Sequence, residues 1–305
     1  MKKFLEATLT LFLVASLVFI LMHLAPGSPF IDEHLINSEN LARIKNHYGL
    51  DLPLPIQYLK YLLGILKGDF GPSLTIEGVY VSTIIKQAFP LSLKLGSLAL
   101  SFSLLLGFLL SLILVFSPLK YIKKGAWLLN VSLLALPSFI ASVLLQYVFA
   151  IKLDLFPTSG SEGLEYLILP ALSLSLIPSG IIARLLKSKL EEVLALPYTL
   201  SAKSKGLSFS RLLFFHLMPG ALLPTLSYLG PLAATLITGS FAAEKVFAIP
   251  GLGSWFVMSL NARDYPLIAG LTLFYTLFVL GFSFIVDVLY AMLDPKLKGE
   301  LYEMA

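Results

Sequence analysis

Long apolar stretches at 7–24, 92–116, 126–151, 164–186, 217–243 and 267–293 set the rhythm of this chain. Each is near or above the ~20 residues that carry a helix across the hydrocarbon core of a bilayer. The pattern predicts an all-α polytopic membrane protein with six transmembrane helices. Only 30–87 has soluble character, with Asp32, Glu33, Arg43, Lys45, Asp51, Lys60, Lys67, Asp69 and Glu77 spread along it. Pro53, Pro55 and the glycine-proline run at 68–72 divide that segment into short helices and turns. Prolines also fall inside the spans, at Pro137, Pro170, Pro178, Pro219, Pro224 and Pro231. Each frees a backbone carbonyl, which is tolerated in a membrane where helices or water supply a partner.

Charge gives the direction of threading. Lys2 and Lys3 precede the first span, and no small-x-small cleavage site follows it, so it reads as an uncleaved helix leading outward. Lys120, Lys123 and Lys124, then Arg184, Lys187 and Lys189, then Lys203, Lys205 and Arg211, and finally Lys296 and Lys298 crowd the short segments on one side. Basic residues of the other side are diluted among acids. The inside-positive bias puts both termini in the cytoplasm. The expected organisation is one transmembrane unit over 1–305: a first span at 1–29, an extracytoplasmic segment at 30–90, a core at 91–295 and a cytoplasmic tail at 296–305.

Composition agrees and then narrows the chemistry. Hydrophobic residues make up 57% and charged residues 13%, with a mean hydropathy of +0.87. The charged share is about half that of a soluble domain. With no cysteine, disulfides, thiolate metal sites and cysteine nucleophiles are excluded. His23, His34, His47 and His216 are scattered, and neither HExxH nor GxSxG nor a GxxxxGK[ST] phosphate loop occurs. ATP, if used, is bound by another chain.

The longest basic, small-residue interruption of the second half is 198–224, YTLSAKSKGLSFSRLLFFHLMPGALLP. Ser201, Ala202, Ser204 and Gly206 leave a nearly bare surface between Lys203 and Lys205. A short helix of this kind seats closely in a groove of another protein, while the lysines alone would also follow from inside-positive topology.

Ser201 to Leu207 and the following His216-Leu-Met-Pro-Gly-Ala-Leu-Leu-Pro224 resemble the cytoplasmic signature of permease subunits in binding-protein-dependent ABC importers. The likeness extends through Gly239-Ser240, Glu244-Lys-Val-Phe-Ala-Ile-Pro-Gly-Leu-Gly253, Asn261-Ala-Arg-Asp-Tyr265 and the 286–295 segment. Leu24-Ala-Pro-Gly-Ser-Pro-Phe30 and the run at 68–72 add to it, and the B-type subunits of the peptide branch are the nearest match. The family signature opens Glu-Ala-Ala; Leu200, Ser201 and Ala202 hold those slots, so the acid is missing, while Ala202 and Gly206 fit.

The resemblance implies a type I importer permease whose 198–216 loop carries a cytoplasmic coupling helix. Ser201, Ala202, Lys203, Ser204, Lys205, Gly206 and Leu207 would dock an ATPase. The chain would bind no cofactor itself, with ATP and Mg used by two cytoplasmic ATPase subunits. Further implied partners are a second, C-type permease in a heterodimer, an extracytoplasmic peptide-binding protein and membrane lipid, and no nucleic acid. The implied location is the bacterial inner membrane, and the implied cargo is oligopeptides.

Ser227, Thr235, Thr238 and Ser240 are candidate pathway groups, since hydroxyls and freed carbonyls match a peptide backbone; small-residue helix packing is the other reading. Asp287 lies within the last span with Arg184 as a candidate counter-ion, either as a gate or as a buried structural pair. Glu244, Lys245, Arg263 and Asp264 are expected at the outer mouth, facing a binding protein or anchoring the interface. The alternative function is an ion-gradient-driven carrier of peptides or solutes. A membrane-embedded enzyme is disfavoured by the missing nucleophile and metal motifs.

Overall fold

The computed structural model describes residues 2–24, 51–76 and 78–293. The described chain is helical, apart from an isolated bridge between Pro72 and Tyr80. Helix α1 is Lys2–Leu24, α2 is Leu54–Leu66, α3 is Val81–Phe116 and α4 is Lys120–Ala135. Helix α5, Ser138–Leu145, runs into a π-helix over Gln146–Lys152. Next come α6, Leu164–Leu194, and α7, Pro197–Ser204, then α8, Phe209–Leu212, which continues as a second π-helix over Leu213–Leu217. Helix α9 is Met218–Ile237, α10 is Phe241–Val246, α11 is Leu252–Ala262 and α12 is Tyr265–Leu293. The tail expected at 296–305 and the whole 30–50 stretch lie outside the described residues.

Five helices are long and apolar enough to cross a membrane, and the expected third span is the exception. It is broken at Leu136–Pro137, where the chain bends by 108°. Leu136 is extended, as steric clash with the following proline ring demands. A straight 126–151 helix is therefore corrected to a bent pair, which makes a sixth crossing only if counted as one. The fifth span is likewise shorter than 217–243. It stops at Ile237, and Gly239 turns the chain at φ 102°, a conformation open to glycine at little cost.

The core lies between α3 and α6, which pack along much of their lengths, with α9 against both. The contact face of α3 is a stripe of small residues at helical spacing: Ser92, Gly96, Ala99, Ser103, Gly107 and Ser111, all buried. A Cβ at Gly96 would come within 2.6 Å of Ile237 Cα, and one at Gly107 within 2.7 Å of Ile182 Cγ2. Backbones thus touch where side chains would keep them apart. Two of the buried hydroxyls of α3 are satisfied within the helix itself: Ser103 Oγ donates to Ala99 O at 2.6 Å and Ser111 Oγ to Phe108 O at 2.7 Å. On α6, Ser175 and Ser179 do the same with Leu172 and Leu176. Gly96→Ala should therefore lower stability by about 1–3 kcal/mol, the usual cost of overpacking. An unchanged thermal midpoint in detergent would show that α3 and α9 can separate freely.

Helix α1 sits on the outside of this core against α12, with most of its side chains exposed. It is joined to α2 by a Ser16–Tyr58 hydroxyl contact of 2.6 Å and a His23–Gln57 hydrogen bond of 3.2 Å.

Candidate functional site: a docking helix and a stapled mouth

The short helix α7 starts with Pro197 in its first turn, where the missing N–H costs nothing, and ends at Gly206, φ 73°. The Gly206 amide donates to Lys203 O at 3.0 Å and the Lys205 amide to Ser201 O at 3.1 Å, closing the helix with a left-handed turn. Thr199 is fully buried, and its hydroxyl donates to Val193 O at the end of α6 at 2.8 Å. Ala202, also buried, joins the main apolar core. These two residues fix which way the helix faces.

Tyr198, Leu200, Ser201, Lys203, Ser204 and Lys205 consequently point outward and are exposed. This revises the expected docking set. Ala202 packs inward, Leu207 is half-buried against the core, and neither offers a bare surface to a partner. Tyr198 and Leu200 are exposed on the same helix. Tyr198 Oη donates to His216 O at 3.3 Å, tying α7 to the returning π-helix.

At the far end of α9, α10 and α11 form a compact unit built around Glu244. Its carboxylate is fully buried. It accepts a hydrogen bond from the Ser254 amide at 2.7 Å and another from Ser92 Oγ of α3 at 3.2 Å. Ser92 Oγ in turn accepts from the Leu252 amide at 2.8 Å. Gly239, Gly251 and Gly253 surround the carboxylate so closely that a Cβ on any of them would meet it. The start of α11 thus points its amide at a carboxyl group, as helix N-termini do.

Other elements pin the same unit. Gln146 Nε2 donates to Val246 O at 3.0 Å and Thr158 O at 2.7 Å, the Gly160 amide donates to Phe247 O at 3.0 Å, and Tyr275 Oη donates to Leu252 O at 2.9 Å.

Asp264 is the second buried acid. It caps α12 by accepting from the Leu267 amide at 3.2 Å. It also gathers the 73–75 turn, accepting from the Ser73 hydroxyl, the Leu74 amide and Thr75 Oγ1. Arg263 beside it is exposed and left-handed, φ 55°, at the end of α11. Of the four residues expected either to face a binding protein or to anchor the interface, two are buried. Glu244 and Asp264 fasten the mouth from within, and Lys245 and Arg263 alone are exposed. Their neighbourhood encloses an open cleft of about 710 Å³ lined by Phe241, Lys245, Ile249, Pro250, Trp255, Met258 and Asn261.

Two matches bear on this arrangement. Residues 103–299 match the binding-protein-dependent transport system inner membrane component, and residues 1–95 match the N-terminal part of the membrane component of such systems. The chain belongs to this family.

Among its relatives is the dipeptide transport system permease protein DppB of Bacillus subtilis, 38% identical over 297 residues, covering 97% of this chain and 96% of that one. The oligopeptide transport system permease protein OppB of Haemophilus influenzae is 40% identical over 304 residues, covering 97% and 98%. Two solved structures share the fold. An inward-facing MetNI methionine ABC transporter matches with a TM-score of 0.57 at 17% identity, over 70% of this chain and 97% of that chain. An amino acid ABC transporter gives 0.54 at 18%, over 69% and 94%. Helix α7 and the α9–α12 unit both fall within the transport component matched at 103–299.

In this transport component the expected pathway residues separate by face. Ser227 and Thr235, with Pro231 between them, form an exposed stripe along α9. Thr235 Oγ1 donates to Pro231 O at 2.8 Å, leaving its oxygen able to accept. Thr238 is buried and bonded to Ala234 O at 2.9 Å, so it belongs to the helix end and not to a lumen. Ser240 is half-buried, and its carbonyl starts α10 by accepting from the Glu244 amide at 2.9 Å. Arg184 is exposed on α6, which removes the reading of it as a buried partner. The side chain of Asp287 is outside the described residues.

Proposed function

We propose that this permease forms half of the translocation pathway for oligopeptides in an ATP-driven importer, and that a separate ATPase drives it through 198–216. The observation that carries the reading is the setting of α7. It is a short helix anchored by Thr199 and Ala202, with a low polar surface at Ser201 and Ser204 between Lys203 and Lys205. Such a surface fits a groove, and its lysines fit an acidic rim or a helix C-terminus there. The names of the relatives support peptides as cargo.

In this reading Mg and ATP sit on two cytoplasmic ATPase subunits. A C-type permease supplies the other half of the pathway, and an extracytoplasmic protein delivers the peptide. The exposed Ser227–Thr235 stripe lines the passage. The chain acts as one transmembrane unit with both termini cytoplasmic, as the basic residues at 120–124 and 184–189 indicate. ATP moves such a bundle only by binding its inward- and outward-facing states unequally.

Purification from native membranes in mild detergent tests the assembly, and uptake into vesicles tests the energy source. A soluble ATPase should accompany the chain, and peptide uptake should require ATP and survive an ionophore. Uptake abolished by the ionophore with ATP present would sink the reading.

A further inference from the structure

The fastening contacts leave an open cleft beside α10 and α11 unexplained. The helices beside it are held in place: Glu244 accepts from the Ser254 amide, and Tyr275 Oη donates to Leu252 O. Ala248 is held at φ 53°, a left-handed conformation that a non-glycine residue adopts only where its surroundings impose it. That turn is locked by the Ile249 amide donating to Glu244 O at 2.8 Å, and it sets Ile249 and Pro250 in the wall. The remaining wall is mostly apolar and aromatic, from Phe241, Trp255, Val257 and Met258, with Ser254 among them.

Polarity in the cleft is sparse, with Glu244, Lys245, Ser254 and Asn261 among its lining. The carboxylate of Glu244 is turned to Ser92 and the Ser254 amide and is consumed there. Lys245 is exposed at the rim and, among the described residues, has no ion pair. Asn261 adds an exposed amide. An apolar pocket of this volume with a few convergent polar groups is the usual form of a small-ligand site.

We infer that this cleft receives the carboxyl-terminal end of the transported peptide, with the terminal carboxylate on Lys245 and its last side chain against Trp255 and Met258. The inference rests on the reading of this chain as half of a peptide pathway. It makes Lys245 a specificity-determining residue. An ammonium and an amide recognise a carboxylate by charge-assisted hydrogen bonds, and a neutral carboxamide by far weaker ones. The aromatic and thioether groups accept side chains of differing shape.

The test uses the intact importer, with both permeases, ATPases and binding protein, reconstituted in proteoliposomes. The probes are an apolar tripeptide as the free acid and the same tripeptide as its C-terminal amide. Comparing permease variants against one binding protein cancels that protein's own preference. Lys245→Met should lower uptake of the acid about tenfold, the usual scale for a hydrogen bond to a charged group, and leave the amide within about twofold. Lys245→Arg should keep the wild-type ratio. An equal fall for acid and amide would mean that Lys245 only anchors the mouth and would overturn the inference. So would unchanged uptake of both. If the wild-type complex imports neither form, the peptide reading fails together with it.

Discussion

An Asp264→Ala chain is expected to lose about 3–5 kcal/mol of stability, enough to deplete it from the membrane. The carboxylate serves several donors in one buried place: the hydroxyls of Ser73 and Thr75, the Leu74 amide and the Leu267 amide. Removing it strands all of them, and each unsatisfied buried group costs ~1–3 kcal/mol. Stabilities of whole domains are only ~5–15 kcal/mol. Asp264→Asn separates charge from hydrogen bonding. One amide oxygen can still serve Leu74 and Leu267, and the hydroxyls can rotate to accept from the new NH₂. Asn should retain more than half of the lost stability. Thermal unfolding in detergent, followed by retention in the folded peak, measures both variants. An Ala variant as stable as Lys60→Ala on the exposed α2 surface would show that the 73–75 turn does not depend on Asp264.

Ser204→Trp should uncouple transport from ATP hydrolysis while leaving the permease folded. Ser204 is exposed, and its hydroxyl donates only to Leu200 O of its own helix, at 3.1 Å. An indole there holds α7 away from any groove shaped for a serine, and steric failure at the centre of a small interface costs several kcal/mol. Peptide uptake should fall at least about a hundredfold, with the ATPase lost on purification. Ala202→Trp is the contrasting variant. Because Ala202 is buried in the permease's own core, this change should abolish folding before docking is tested. If Ser204→Trp kept both ATPase and uptake, α7 would not be the coupling surface. Gly206 is a less informative position, since its φ of 73° makes any branched side chain strain the turn itself.

Most of the bundle was legible because lipid demands long apolar runs, and five of those runs became long helices. The third failed for a local reason. Hydropathy is blind to backbone direction, and Pro137 turns the chain without changing its apolar character. Helix α11 was missed because its turn-rich start, Pro250-Gly-Leu-Gly, hides an N-terminus whose cap is the distant side chain of Glu244. Distance in sequence also hid the roles of Glu244 and Asp264. Their partners lie 152 and 191 residues away, at Ser92 and Ser73. Acids near a span end read as surface groups until those partners are known. The docking loop was found by its residue types. Which of them faced outward needed Thr199 and Ala202, whose inward direction a three-residue difference in helix phase decides.

The serine-lined face of α3 also bears on how the chain is made. Its principal partner, α6, is completed about 80 residues later, which at ~5–20 residues per second is a wait of roughly 4–16 seconds. During that interval the ribosome has delivered a polar stripe to the bilayer with nothing to cover it. Ser103 and Ser111 need no cover, because each hydroxyl already donates to a carbonyl of its own helix. Those two hydroxyls are thus already bonded when α3 is made, whereas Ser92 gains its partners only with Glu244 and Leu252.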